Sequence, residues 1–213
     1  MQVMHLNSTG DDFEYCCDDG VNEARVSRLT TVNFLQTFVM AIIDFNAAGR
    51  SYKFVTDKKT AIDAALSSKE LGGYIVNLET EAESSAVYDA ITGLVANGQI
   101  DISGSKAADG GNASYAWLGG TDNVWSGFEG SAEGNWRWKY SGTPLSTSRS
   151  EWGSGQLGSE PDNSNGSQDF LALGLENWPA GSANGAGFGN AGSWNDINGA
   201  NQLFYIVEMS SLA

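Results

Sequence analysis

Three short clusters hold the residue types best suited to chemistry: Glu160-Pro161-Asp162, Gln168-Asp169 and Trp194-Asn195-Asp196. Each offers carboxylate or amide oxygens and nothing softer. That donor set suits calcium, which takes about six to eight hard oxygens in forgiving geometry. Zinc is disfavoured, because the only histidine is His5 and both cysteines, Cys16 and Cys17, lie far away in the sequence. A proline between two acids can hold a cis bond and aim both side chains one way. Acids in Gly/Asn-rich loops are equally the mark of a solvated surface, so the clusters alone leave both readings open. A Ser/His/Asp or Cys/His centre is not credible without a histidine near these loops. Paired carboxylates could hydrolyse glycosides, but Glu160 and Asp162 would then need oxygens free of any ion. No enzyme is expected.

Composition narrows the partners. The chain has 26 acids against 11 bases, a net charge of −15, which argues against nucleic acid. It is the balance of a soluble protein working where divalent cations are plentiful. Adjacent cysteines rarely bridge each other without strain, so no disulfide framework is expected. A bacterial surface protein stabilised by bound calcium fits this better than a disulfide-knit extracellular domain. The apolar run 38–43 is closed by Asp44 and is far too short to insert in a membrane. The N-terminus lacks the basic and apolar stretches of a secretory signal, so an extracellular location implies a mature fragment of a larger secreted protein.

The elements that must position the clusters come from residue 51 onward. Residues 1–50 read as an N-terminal extension; 26–45 is rich in β-branched and aromatic residues without a clean period, and strand and helix stay open there. Tyr52-Lys53-Phe54-Val55 alternates like a strand. A helix opens at Thr60 with Ile62, Ala65 and Leu66 on one side and ends at Gly72-Gly73. Residues 74–78 form a short apolar strand. Thr80-Glu81-Ala82-Glu83 has the form of a capping box, opening a helix that carries Val87, Ile91, Leu94 and Val95 on one face. Trp136, Trp138 and Tyr140 alternate with Arg137 and Lys139, as in a strand buried on one face. Residues 203–207 form a closing strand. Between 101 and 199 the chain is Gly/Ser/Asn-rich and punctuated by tryptophans, and loops that long need something to order them or serve a function.

From 51 to 209 the order of these signals resembles the C-type lectin-like domain, bacterial members included. Ala116-Trp117-Leu118-Gly119-Gly120 is similar to the family's Trp-Ile-Gly core strand, and Glu133-Gly134-Asn135-Trp136-Arg137-Trp138 to its Glu-Gly-x-Trp-x-Trp strand. Trp152 sits where a tryptophan often precedes the calcium loop. Glu160-Pro161-Asp162 falls on Glu-Pro-Asn, Gln168-Asp169-Phe170 on Glu-Asp-Cys, and Trp194-Asn195-Asp196 on Trp-Asn-Asp. The resemblance implies an α+β fold of two helices, short antiparallel strands and long calcium-ordered loops, in a domain spanning 51–213. It implies a calcium-dependent carbohydrate-binding domain, the ligand-binding part of a bacterial surface adhesin. One Ca²⁺ would be held by Glu160, Asp162, Gln168, Asn195 and Asp196. The partner would be a glycan with vicinal hydroxyls, contacted by Glu160, Asp162, Gln168 and Asn195. The alternative on the same fold is a module that binds protein, peptide or ice.

Several departures from the family pattern bear on specificity. Asp162 and Gln168 exchange an amide and an acid relative to the usual set, so the charge at the ion is kept while sugar choice is not implied. Asn163 would restore an amide if it turned inward. Phe170 and Val207 stand at cysteine positions, so apolar packing must replace cross-links. The 176–193 insertion carries Trp178 and Phe188, which either flank a ligand or pack on the core. A second calcium would be held by Asp169 with acids such as Asp122, Glu129 or Glu133.

Overall fold

Strands buried on both faces organise the molecule. The computed structural model describes residues 41–124 and 133–210, together with the backbone pairing of two short strands, β1 (Asn7–Thr9) and β2 (Asp12–Glu14). The chain forms two units, Met1–Phe38 and Val39–Ala213. In the first, β1 and β2 are antiparallel, with Ser8 opposite Phe13. His5, Cys16, Cys17, Trp125 and Glu129 lie outside the described residues.

The second unit is built on one sheet. β3 (Ile42–Ala47) and β4 (Arg50–Lys59) form a hairpin; β3 comes from the stretch whose type the sequence leaves open, ahead of residue 51. Then follow α1 (Ala61–Glu70), β5 (Gly73–Ile75), α2 (Glu81–Ala96), β6 (Lys106–Ala107), β7 (Ala113–Thr121) and β8 (Arg137–Trp138). The hairpin β9 (Ser154–Gly155) and β10 (Gly158–Ser159), then β11 (Phe170–Gly174), β12 (Trp194–Ile197) and β13 (Leu203–Met209), complete it. The sheet runs β12-β11-β7-β13-β4-β3, with β5 on β13 and β6 and β8 on β7. Pairing is antiparallel except between β7 and β13, where Phe204 lies beside Ala116 and Tyr205 beside Trp117.

Period-two alternation sends neighbouring residues into two cores. Phe54, Ala116, Leu171, Leu173, Phe204 and Ile206 enter one core with Val87 and Ile91 of α2. Val55, Trp117, Ala172, Tyr205 and Val207 enter the other with the alanines of α1. Every residue of β7 is buried, as a strand covered on both sides requires. Phe170 and Val207 are both buried, so apolar packing occupies those two positions.

Several local expectations need correction. The buried face of α1 is Ala61, Ala64, Ala65 and Ser68, while Ile62 and Leu66 are exposed at 37% and 52%. Small residues let the helix lie close on the sheet, and closeness outweighs the apolar gain of turning the larger pair inward. At the start of α2, Thr80 Oγ1 accepts from Glu83 N at 3.2 Å, as a cap should. The Glu83 carboxylate does not return to Thr80; it accepts from Glu79 N and from the Tyr52 hydroxyl, beside Arg50. Trp136 and Trp138 are buried but Tyr140 is 61% exposed, its ring stacked on Tyr74 with centroids 3.6 Å apart. The strand expected at 74–78 is β5, Gly73–Ile75, and Val76 and Leu78 stay buried beyond its end.

Candidate functional site

Strand β12 supplies one side of the site. Trp194, fully buried, packs edge-on against Trp138 and Trp152, with ring centroids 5.7 and 6.0 Å away. Its neighbours Asn195 and Asp196 are thereby fixed opposite Ala172 and Leu171 of β11. Gly153 ties the opposing loop to this strand: its N–H donates to Trp194 O at 2.9 Å, and its carbonyl accepts from Glu160 N at 2.8 Å. The Glu160–Pro161 bond that follows is cis.

Asp196 holds that loop by its backbone. Its Oδ1 accepts from Asp162 N at 3.1 Å and its Oδ2 from Asn163 N at 2.7 Å. Glu160 is buried, and its Oε1 accepts from Trp178 Nε1 at 3.0 Å. Glu160 Oε2 is buried with no partner. Carboxylate oxygens of Glu160, Asp162 and Asp196 all lie within 4.8 Å of one another.

Three acids at that spacing cannot all ionise cheaply without a compensating cation. Burial, together with the neighbouring charges of Asp196 and Asp162, pushes Glu160 up to about 8 against the pull of the Trp178 bond. Burial raises Asp196 as well, although the amides of Asn163 and Asp162 oppose it. A divalent cation would remove both penalties, and Glu160 Oε2 meets no protein donor that would compete for it. The donor set fits calcium.

The two amides are held at the margin of this cluster. Gln168 is buried; its Oε1 accepts from Ser164 N at 2.7 Å, the same N–H that Asp162 Oδ1 accepts at 2.9 Å. Its Nε2 donates to Asp109 O and Oδ2, both at 3.3 Å. Asn195 Nδ2 donates to the Tyr115 hydroxyl at 3.0 Å. Asn163 sits at a positive φ of 45°, and its Oδ1 accepts from Gln168 N at 3.1 Å, so its side chain closes the loop on itself.

Asp169 faces a different neighbourhood. Its Oδ2 accepts from Asn123 Nδ2 at 2.6 Å. Asp122 is buried, with Oδ2 on Gly134 N and Oδ1 unpartnered. Burial and the charges of Glu133 and Asp169 push Asp122 up to about 6. Among the described residues, these acids do not gather three carboxylate oxygens as tightly as the first cluster does.

Sequence reasoning overlooked Asp109 and Tyr115 and left the place of Trp178 open. Trp178 is 2% exposed, so it packs in the core and serves Glu160 from behind. Asp109 stands in an Ala-Asp-Gly-Gly-Asn turn, where an acid reads simply as a turn residue.

No family model matches the sequence, and no curated protein matches it at a significant level. Solved structures do match. A human lithostathine structure superposes with a TM-score of 0.52 at 20% identity, covering 79% of this chain and 97% of that one. A second human lithostathine structure gives 0.50 at 21% identity, covering 79% and 88%. The mouse scavenger receptor C-type lectin carbohydrate-recognition domain gives 0.47 at 20%, covering 80% and 97%. At such identity the likeness speaks for the fold alone, and with the two lithostathine structures that fold is α+β and C-type lectin-like.

Proposed function

We propose that this chain, with its C-type lectin-like fold, is a calcium-dependent carbohydrate-binding domain and makes or breaks no bond in its ligand. Glu160, Asp162, Gln168, Asn195 and Asp196 would hold the ion. One observation carries the reading: three carboxylates bring oxygens within 4.8 Å of one another, and one of the three, the buried Glu160, has an oxygen that no protein donor satisfies. Calcium in such a site supplies the positive charge that orients two neighbouring sugar hydroxyls. Glu160 and Asp162 would accept hydrogen bonds from those hydroxyls, and Gln168 and Asn195 complete the contact set. Asp162 is exposed, so the cluster opens to solvent on one side. Shallow recognition of this kind gives weak single-site affinity, with avidity from multivalency. That is the economy of an adhesin at a cell surface, and a bacterial surface protein working in millimolar calcium is the setting we assign.

A second ion held by Asp169 with Asp122 and Glu133 belongs to the same proposal; the unpartnered, buried Asp122 Oδ1 supports it. The test is a glycan array in calcium, repeated in chelator, on the wild-type chain and on Asp196→Ala. Calcium-dependent glycan signal lost in the variant is the expected result. Sugar binding that persists in chelator, or undiminished in Asp196→Ala, places the site elsewhere.

A further inference from the structure

Calcium can bind a side-chain amide only through its oxygen, so an amide ligand must be held the right way round. A carboxylate has no wrong end; glutamine and asparagine do. The turn 108–112 between β6 and β7 touches the NH₂ end of Gln168 directly and reaches that of Asn195 through Tyr115 of β7. Asp109 takes both Gln168 Nε2 contacts, through its carbonyl and its Oδ2. Gly110 acts through Tyr115: the tyrosine hydroxyl donates to Gly110 O at 2.8 Å, which leaves its oxygen to accept from Asn195 Nδ2. The oxygen branch of Gln168 points the other way, onto the Ser164 amide it shares with Asp162.

We propose that the 108–112 turn is an orienting clamp, with Asp109 and the Gly110–Tyr115 pair as positioning residues that fix Gln168 and Asn195 with their oxygen ends toward the carboxylates. The inference rests on the proposed calcium site. Asp109 is anchored for the task, since Asn198 N donates to its Oδ2 at 2.8 Å and Asn201 Nδ2 to its Oδ1 at 2.7 Å. Gly110 is required by space: a Cβ there would come 2.6 Å from both Ile197 Cδ1 and the Tyr115 ring. With Nε2 held by Asp109, Gln168 presents its oxygen end, not its NH₂, to the ion.

The clamp predicts a background-dependent effect. Asp109→Ala should weaken calcium binding about tenfold or more, the usual cost of losing a group that orients a metal ligand. In a Gln168→Glu chain the same change should be neutral or should strengthen binding, because a carboxylate needs no orienting and loses a like-charged neighbour. Calorimetric calcium titration of the four chains reads this directly. Equal weakening in both backgrounds, or none in either, overturns the clamp. A second readout needs no calcium: the Gln168 side-chain NH₂ resonances, identified by their absence in Gln168→Glu, should exchange slowly with water in the wild type and rapidly in Asp109→Ala. Fast exchange in the wild type overturns the inference. If the wild-type chain binds no calcium, the proposed function falls, and the amide exchange still decides the clamp.

Discussion

Proton release should accompany calcium binding, because the site holds a proton that the ion must displace. In the calcium-free protein Glu160 is pushed up to about 8 by burial and by Asp196 and Asp162. Below that pH the Glu160–Asp196 pair keeps a proton, and each pH unit below 8 adds about 1.4 kcal/mol to the work of binding. Calcium Kd should therefore improve about tenfold per unit from pH 6 to 8 and flatten above it. Calorimetry in two buffers of different ionisation enthalpy counts the protons, with about one released per ion at pH 7 and none at pH 9. Glu160→Gln should abolish both the release and the slope while weakening binding at every pH. Stability follows the same linkage. A carboxyl whose folded pKa is raised stabilises fully below its unfolded pKa of about 4.3, and that contribution is lost as pH rises through the folded value. The calcium-free protein should thus melt at progressively lower temperature from pH 5 to 8.5, and saturating calcium should remove the decline. A pH-independent Kd between 6 and 8 with no proton release would refute the reasoning.

Three further outcomes follow from particular contacts. Trp178→Phe removes the one donor to Glu160 Oε1; it should cost about 2 kcal/mol in chemical denaturation and move the calcium–pH profile to higher pH, since that bond holds Glu160 down. On α1, Ala64→Leu should destabilise by about 1–3 kcal/mol, whereas Leu66→Lys should stay within about 0.5 kcal/mol, because Ala64 is fully buried and Leu66 is not. Arg50→Ala strips the shared counter-ion from buried Glu83 and Glu208; with the arginine side chain 51% exposed, the loss should be about 2 kcal/mol, below the cost of breaking a fully buried pair.

What the sequence makes plain is what depends on residue type and local order. Both helices open on the threonines expected to cap them, and Trp194 anchors the strand that carries Asn195 and Asp196, as its place in the motif implies. What stays hidden depends on how closely elements approach. Periodicity favours Ile62 and Leu66 as the inner face of α1, yet the alanines win because the helix lies near the sheet. Tyr140 fits the alternation of a buried strand, but β8 ends at Trp138 and the ring stacks on Tyr74 instead. Asp109 and Tyr115 lie far along the chain from the amides they touch, Gln168 and Asn195, and no spacing rule joins them. The orientation of an amide is likewise invisible in a string of letters.

The 176–193 insertion shows how composition can mislead in the opposite direction. Composition alone gives its glycines no role, yet Gly189 within it, with Gly153 and Gly174 outside it, is dictated by the Trp178 side chain. A Cβ at Gly153, Gly174 or Gly189 would run into the indole ring. The backbone agrees: Trp178 N donates to Gly189 O at 3.1 Å, Phe188 N donates back to Trp178 O at 3.0 Å, and Leu157 N of the β9–β10 hairpin reaches Gly187 O. An indole wedged among glycines is more closely confined than one among ordinary side chains, because backbone can approach both of its faces. The confinement has a chemical end, since the ring's only donor meets the only paired oxygen of Glu160. Without that fixed bond the buried carboxylate would have neither oxygen satisfied and would retreat further toward its neutral form, which binds cations poorly. The loop is therefore ordered from within by the protein, and on the proposed calcium site its order would keep Glu160 ready to ionise for the ion.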